Sequence, residues 1–377
     1  MDYTFLKFKY CMTLYISVGF LLLVFSAFFV FLNHEKFGKT PNSEIKTQFS
    51  EHNNFYDGEF QNQSNTPSMT GDDSMVTVFW NFFFNKNENS EPKETLPSVK
   101  TDLKSIPLSE NILVWFGHSS YFLQIDGKRF LIDPVFSGAA SPVSFTTNSY
   151  KGSEVYSVDD FPNIDYLLIT HDHWDHLDYE TLLKLRAKVS TVVTGMGVRI
   201  HLEMWGYNPE TIIEKNWYET IPLTEGFSIT LMPTRHFSGR LFSRNKSLWT
   251  SFVLKTPTKN LYLGGDSGYD KHFKETGQKY GPFDLAMLEC GQYNKNWKYI
   301  HMAPEEVVQA GKDLQTKQLL PVHWGKFSLA LHSWKEPIER LSVAAAKEKL
   351  PLITPLIGQK VSLDSTFQST QWWKELQ

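Results

Sequence analysis

Read for the alternation of apolar and polar positions, the 377-residue chain falls into distinct stretches. Residues 10–32 form an apolar run without a charged side chain, long enough to cross a bilayer as a helix. Residues 33–105 are polar, rich in Asn, Ser and Pro and without clear periodicity, apart from one apolar island at 76–84. From residue 106 the pattern changes to short apolar runs bounded by turn residues, which read as strands. Strands are expected over 112–116, 121–125 and 129–132, the last two forming a hairpin across Asp126-Gly127-Lys128. Further strands are expected over 166–169, 191–194, 227–232, 249–255, 261–263, 284–288 and 319–322. Helical periods occupy 179–187 with Asp178 as cap, a segment ending near Gly206, then 304–314 and 336–349. Hairpins come first and helices are interspersed, so the pattern predicts a layered α/β (α+β) sandwich and not a parallel doubly wound sheet. The expected division is a short tail at 1–9, a transmembrane anchor at 10–32, a polar linker or N-terminal arm at 33–105, a main domain at 106–364 and a C-terminal tail at 365–377.

Lys7 and Lys9 precede the apolar run, and Glu35, Lys36 and Lys39 follow it. This weak bias places the N-terminus on the cytoplasmic side and the main domain outside the cytoplasm, in the periplasm if the source is bacterial. A cleaved signal peptide is the alternative, but its apolar region is normally shorter and ends at small residues, for which only Ser26-Ala27 qualifies. Of the two cysteines, Cys11 opens the apolar run and Cys290 lies far downstream, so no structural disulfide is expected. The formal net charge of -4 argues against a nucleic-acid partner. The aromatic island reads either as an arm packed on the main domain or as a second contact with the membrane.

Against this background one stretch stands out: Thr170-His171-Asp172-His173-Trp174-Asp175-His176-Leu177-Asp178, directly after an apolar strand. His171 and His173 are two apart and point the same way on an extended segment, while Asp175 and His176 follow once the chain has begun to turn. Imidazole and carboxylate without thiolate form a ligand set for zinc or a similar divalent ion. His236, Asp266 and His323 each stand just past the end of an expected strand, where loops can converge on one rim of a sheet core. The turn at 264–268 lacks the Lys-Ser/Thr of a phosphate loop, and no Gly-x-Ser-x-Gly elbow accompanies Ser119 or Ser120. Arg235 and Arg240 flank His236 and are expected either to meet a phosphate or to form surface salt bridges.

The order Asp133, His171-x-His173-x-Asp175-His176, His236, Asp266, His323 resembles the metallo-β-lactamase superfamily over roughly residues 110–362. The resemblance implies a four-layer αββα sandwich with a centre of two Zn²⁺ ions. One ion would be held by His171, His173 and His236, the other by Asp175, His176 and His323, with Asp266 bridging both. Asp133 would orient the histidine loop without binding metal. Trp115-Phe116-Gly117-His118, Asp133-Pro134-Val135-Phe136-Ser137, Gly265-Asp266-Ser267-Gly268-Tyr269, His301-Met302-Ala303-Pro304 and Pro321-Val322-His323-Trp324-Gly325 are similar to the branch that contains N-acylphosphatidylethanolamine-hydrolysing phospholipase D and its bacterial relatives. Trp174 and the 289–293 loop depart from that branch.

Two divalent ions activate a bridging water near neutral pH and clamp the attacking and leaving oxygens of a phosphoryl group. The expectation is therefore a membrane-anchored phosphodiesterase of phospholipase D type acting on a phospholipid or similar amphiphile. His301 is expected to orient substrate or transfer a proton, the alternative being a surface histidine at a helix start. His118 is expected to support the ligands from behind or to fix a strand end. The alternatives are a lactonase or other carbonyl hydrolase on the same centre, and a non-catalytic membrane-tethered envelope protein. A homodimer remains open.

Overall fold

The computed structural model describes residues 3–85, 87–224 and 226–377. The apolar run becomes helix α1 (Tyr3–Leu32), whose side chains from Met12 to Val30 are all exposed. Its segment Phe8–Leu32 is long and apolar enough to cross a membrane. The polar stretch that follows is folded, with α2 (Ser43–Phe49), a ribbon of β1 (Phe55–Tyr56) and β2 (Glu59–Phe60), and α3 (Met75–Phe84). Phe49, Phe55 and Phe60 are buried in a small core with Trp217, Leu248 and Trp249. Its asparagines bind where apolar contacts are sparse. Asn54 and Asn216 exchange two amide bonds of 2.8 and 2.9 Å, and Asn62 donates to the His236 carbonyl at 2.7 Å. Helix α3 differs: Ser74 caps it by accepting from the Thr77 N–H, yet none of its residues is buried. Val78, Asn81 and Phe82 on one side are half-buried, while Met75, Val76, Phe79, Trp80, Phe83 and Phe84 are exposed.

The main domain begins with β3 (Ile112–Trp115), β4 (Tyr121–Ile125), β5 (Lys128–Ile132) and β6 (Ile164–Ile169). It continues through α4 (Tyr179–Leu185), β7 (Val189–Gly195), α5 (Arg199–Met204) and β8 (Ile212–Lys215). The second half holds β9 (Thr220–Pro222), β10 (Ser228–Met232), β11 (Ser251–Lys255), β12 (Asn260–Leu263), α6 (His272–Tyr280), β13 (Leu285–Glu289), α7 (Pro304–Asp313), β14 (Leu319–Val322), α8 (Glu336–Glu348) and β15 (Lys360–Ser362). One seven-stranded sheet runs β15-β3-β4-β5-β6-β7-β8, and a six-stranded sheet runs β14-β13-β12-β11-β10-β9. Each sheet is antiparallel at one side and parallel at the other. The Asp126-Gly127 turn joins β4 to β5 with positive φ at both residues (50° and 77°), as a tight hairpin requires.

Both faces of the first sheet are apolar because both are covered. Leu113, Trp115, Leu123, Phe130 and Ile132 pack towards the second sheet. Val114, Phe122, Leu131 and Leu167 point the other way, against Leu182 of α4 and Leu202 of α5. On the outer side of the second sheet lie Val307 and Val308 of α7 and Ile338 and Leu341 of α8. The layers are thus αββα. Strands β8, β9 and β15 and helix α6 escaped the pattern reading, being short or strongly polar. Asp178 stands at the start of α4 but does not cap its backbone; its carboxylate instead accepts from the Phe136 and Ser137 N–H groups, at 3.1 and 2.9 Å, and from the Thr181 hydroxyl. The C-terminal residues also pack, with Trp372 and Trp373 buried against Trp324.

Candidate metal centre

Strands β3, β5, β10 and β12 run in one direction within their sheets, and the loops that leave them open on one rim of the sandwich. That rim receives His118 after β3, Asp133 after β5, His171 to His176 after β6, His236 after β10, Asp266 after β12 and His323 after β14. The two sheets are tied together there by backbone bonds: His323 N–H donates to the His118 carbonyl at 2.9 Å, and His118 N–H to that of Trp324 at 2.8 Å. His118, Asp133 and His323 all adopt positive φ (52°, 40° and 67°), a costly conformation held by these contacts. Close packing also explains Gly265. A Cβ there would stand 2.5 Å from the Thr250 carbonyl oxygen and 3.0 Å from Thr170 Cβ.

The residues meet in two groups. In the first, His173 Nδ1 lies 2.9 Å from His171 Nε2 and 3.2 Å from His236 Nε2. Asp266 Oδ2 faces His171 and His236 from 3.8 and 3.7 Å. In the second, His176 Nε2 is 3.4 Å from Asp175 Oδ2 and 3.2 Å from Asp266 Oδ2, while His323 Nε2 is 4.0 Å from Asp175 Oδ2. Asp266 therefore borders both. Tetrahedral ligands at about 2.0–2.1 Å from an ion are roughly 3.3 Å apart, so these spacings fit a metal between them. The opposite ring nitrogens are engaged from behind, as metal-binding histidines usually are. His171 Nδ1 meets Thr170 Oγ1 at 3.0 Å, His176 Nδ1 meets Asp133 Oδ2 at 2.8 Å, and His236 Nδ1 donates to the Ile300 carbonyl at 2.9 Å. His176 Nε2 and Asp266 Oδ1 are buried without a hydrogen-bond partner. Buried polar atoms left open in this way are the places where an ion would complete the set.

Electrostatics points the same way. Burial drives His171, His236 and His323 well below the usual imidazole range, leaving neutral rings with free lone pairs. Burial alone would raise Asp175 and Asp266, but the histidines around them outweigh it and hold both well below the usual carboxylate range. His176 is the exception: burial opposes its charge, but Asp266, Asp175 and Asp133 push it well above the ordinary value. Neutral imidazoles with ionised carboxylates are the donor chemistry of a divalent cation.

Surrounding residues define the rest of the site. His118 Nε2 lies 2.8 Å from Asp175 Oδ2, and Ser119 Oγ 3.0 Å from His323 Nδ1. His301 is not a surface residue: its ring packs 5.0 Å from that of His236 and 5.2 Å from that of His323. Its Nδ1 is 3.4 Å from Oε2 of buried Glu289, a residue the sequence did not single out. Its signal was present, since Glu289 ends β13 as the other site residues follow their strands. Asp172 and His201 were also missed. Asp172 accepts from Ser247 Oγ at 2.8 Å and from the Gly239 N–H at 2.6 Å, and lies 3.4 Å from His201 Nε2. Neither expectation for Arg240 survives. It is buried, donates to the carbonyls of Asp172, Leu177 and Lys36, and stacks 3.7 Å over Trp174. Arg235 serves the arm, donating to Thr66 Oγ1 and the Asn65 carbonyl, and also forms an expected salt bridge, its Nε lying 3.9 Å from Asp270 Oδ2.

Comparison with known proteins bears on this geometry. Residues 128–324 match the family described as the beta-lactamase superfamily domain. An uncharacterized protein of Mycobacterium tuberculosis is 36% identical over 326 residues, covering 85% of this chain and 87% of its own length. The N-acyl-phosphatidylethanolamine-hydrolyzing phospholipase D 1 of Caenorhabditis elegans is 29% identical over 274 residues, covering 66% of this chain and 77% of its own. Among solved structures, the metallo hydrolase Igni18 of Ignicoccus hospitalis superposes with a TM-score of 0.54 at 21% identity, over 69% of this chain and 100% of its own. The chain belongs to the metallo-β-lactamase superfamily and is a metal-dependent hydrolase of that fold.

Proposed function

We propose that this protein is a membrane-tethered phosphodiesterase of phospholipase D type, acting on N-acylphosphatidylethanolamine-like phospholipids with two zinc ions. The observation that carries the reading is the pair of donor groups meeting at Asp266, with His176 Nε2 and Asp266 Oδ1 open between them. His171, His173 and His236 would hold one ion, and Asp175, His176 and His323 the other, with Asp266 shared. When bound, such a pair activates water and offsets charge developing on phosphoryl oxygens. Asp133 and Thr170 hold the His176 and His171 rings in place, and His118 holds Asp175. Glu289 and His301 form a buried acid–imidazole pair beside the centre, suited to hold a proton for the leaving alkoxide. Beside His236 opens a cleft of about 440 Å³ lined by Asn62, Gln63, Asn65 and Arg244, polar enough for a phosphodiester head group. The choice of a lipid substrate is supported by the nematode relative and by α1, which we read as a single membrane span with its N-terminus in the cytoplasm and the domain outside.

Elemental analysis of the full chain in detergent should give about two zinc ions per chain, the count a two-metal site requires. Hydrolysis of N-acylphosphatidylethanolamine in ¹⁸O-water should place the label in phosphatidic acid, because attack is at phosphorus. Turnover of lactones with none of phosphodiesters would move the assignment to the carbonyl hydrolases.

A further inference from the structure

We propose that the face of the sandwich bearing the metal centre lies against the bilayer that α1 enters, and that Phe145, Leu241, Phe242 and helix α3 make the contact. The inference rests on reading α1 as a membrane span, but it adds a surface that this reading does not require. Helix α1 does not leave on a loose tether. Immediately past Leu32, the Glu35 carbonyl accepts from Trp205 Nε1 at 2.9 Å, and the Lys36 carbonyl from Arg240 Nε and Nη2 at 3.1 and 2.8 Å. Lys36 Nζ donates to the Pro142 carbonyl at 2.6 Å, and the Phe37 ring packs edge-on 5.4 Å from that of Trp174, within the histidine loop itself. Lys36 is four residues beyond the helix end, so it lies no more than roughly 14 Å from it along the chain. Whatever touches Lys36 is therefore close to head-group level.

The two loops that touch it carry exposed apolar tips. Phe145, in the loop after Asp133, is 80% exposed, and Phe242, in the loop after His236, is 83% exposed beside partly exposed Leu241. Helix α3 stands on two further site loops. At its start, Thr70 N–H donates to the Asn296 carbonyl and Asn296 Nδ2 to Asp73, just ahead of His301. Past its end, the Asn89 carbonyl accepts from Trp334 N–H, in the segment after His323. The helix presents Phe79, Trp80 and Phe83 outward. A ten-residue helix with no fully buried residue is marginal in water, whereas an aromatic helix lying in the plane of a membrane interface is a stable arrangement. Apolar tips on loops beside Asp133 and His236, and a helix on loops beside His301 and His323, thus frame one rim. Exposed apolar side chains elsewhere on the domain are scattered singly, as on any surface. A lipid would then reach the centre from the leaflet without passing through water.

The test uses the full chain in a Cys11→Ser background, reconstituted into vesicles of phosphatidylcholine and phosphatidylglycerol. Cysteines introduced one at a time as Phe79→Cys, Phe145→Cys and Phe242→Cys carry an environment-sensitive fluorophore, the remaining Cys290 being fully buried. Val343→Cys is the control, being 74% exposed on α8. The expected result is blue-shifted emission at the three rim positions, most of it lost when nitroxide-bearing lipids are included, with the control unaffected. Retention on the vesicles through an alkaline carbonate wash, with all four labels in water, would overturn the membrane-facing rim and leave α1 as an anchor. Release in that wash would remove the anchor and the rim together.

Discussion

Two corners of the site each set a buried carboxylate against a histidine, and they are built differently. Asp133 is saturated. Its Oδ1 accepts from the Thr170 N–H at 2.8 Å, while Oδ2 accepts from Thr170 Oγ1 at 2.6 Å and meets His176 Nδ1 at 2.8 Å. Glu289 is not. Its Oε1 accepts from the Met302 N–H at 2.7 Å, but Oε2 has no hydrogen-bond partner and faces an equally unpartnered His301 Nδ1. Burial raises both carboxyls, Glu289 to about 7, while His301 is raised because the carboxylate beside it outweighs burial. A carboxylate whose lone pairs are spent fixes a ring; one with an open oxygen near neutral pH can exchange a proton. The difference suits Asp133 to positioning a ring and the Glu289–His301 pair to the proton transfer proposed for it.

The largest effect should come from removing what both corners serve. Asp266→Asn takes away the carboxylate bordering both donor groups, and activity should fall by at least about 10³-fold, with metal content lost alongside. Full turnover with undiminished metal would remove Asp266 from the centre. Glu289→Gln comes next: kcat should fall by about 10²-fold or more, the usual contribution of a general acid or base, while metal content stays. The pH profile gives the sign. If His301 acts in its protonated form, activity declines as pH rises through its pKa. Loss of the carboxylate that raises this pKa should therefore move the decline to lower pH.

Asp133→Asn should do the reverse, weakening metal binding by about 10–100-fold and leaving that limb of the profile in place. Competition with a chelator and the pH profile, measured on both variants, would break the contrast if Glu289→Gln shed metal while Asp133→Asn kept it.

The same contrast explains what could be read from the chain. The 170–178 stretch was legible as part of the candidate site because its histidines and carboxylates crowd one loop after an apolar strand, and His236, Asp266 and His323 because each follows a strand visible by its alternation. Glu289 looked like the polar end of an apolar run, and its partner, His301, lies in a separate loop. The 33–105 stretch was opaque for another reason: much of its attachment is by amides such as Asn54 and Asn62, which read as linker composition. Its apolar core contacts are few and far apart in sequence: Phe49, Phe55 and Phe60 share one small core, and Phe37, Leu96 and Leu103 are buried elsewhere. Arg240 misled because a guanidinium beside a metal-loop histidine suggests phosphate, whereas here it closes backbone carbonyls around Trp174.

The smallest effect should fall on the junction between α1 and the metal loop. His201 Nδ1 accepts from the Lys39 N–H at 3.0 Å, and its other ring nitrogen lies 3.4 Å from Asp172. Gly38, at φ 74°, leaves no room for a side chain, since a Cβ would stand 2.0 Å from that Nδ1. The ring thus connects the chain leaving α1 to the base of the histidine loop. His201→Ala should cost about 1–2 kcal/mol, the scale of a lost buried hydrogen bond. Asp172 keeps its Ser247 and Gly239 donors, so metal affinity should fall less than in Asp133→Asn. Cleavage near residue 39 should become faster in limited proteolysis of the full chain. A drop in metal affinity equal to that of Asp133→Asn would mean that the junction with α1, and not Asp133, sets the geometry of the loop.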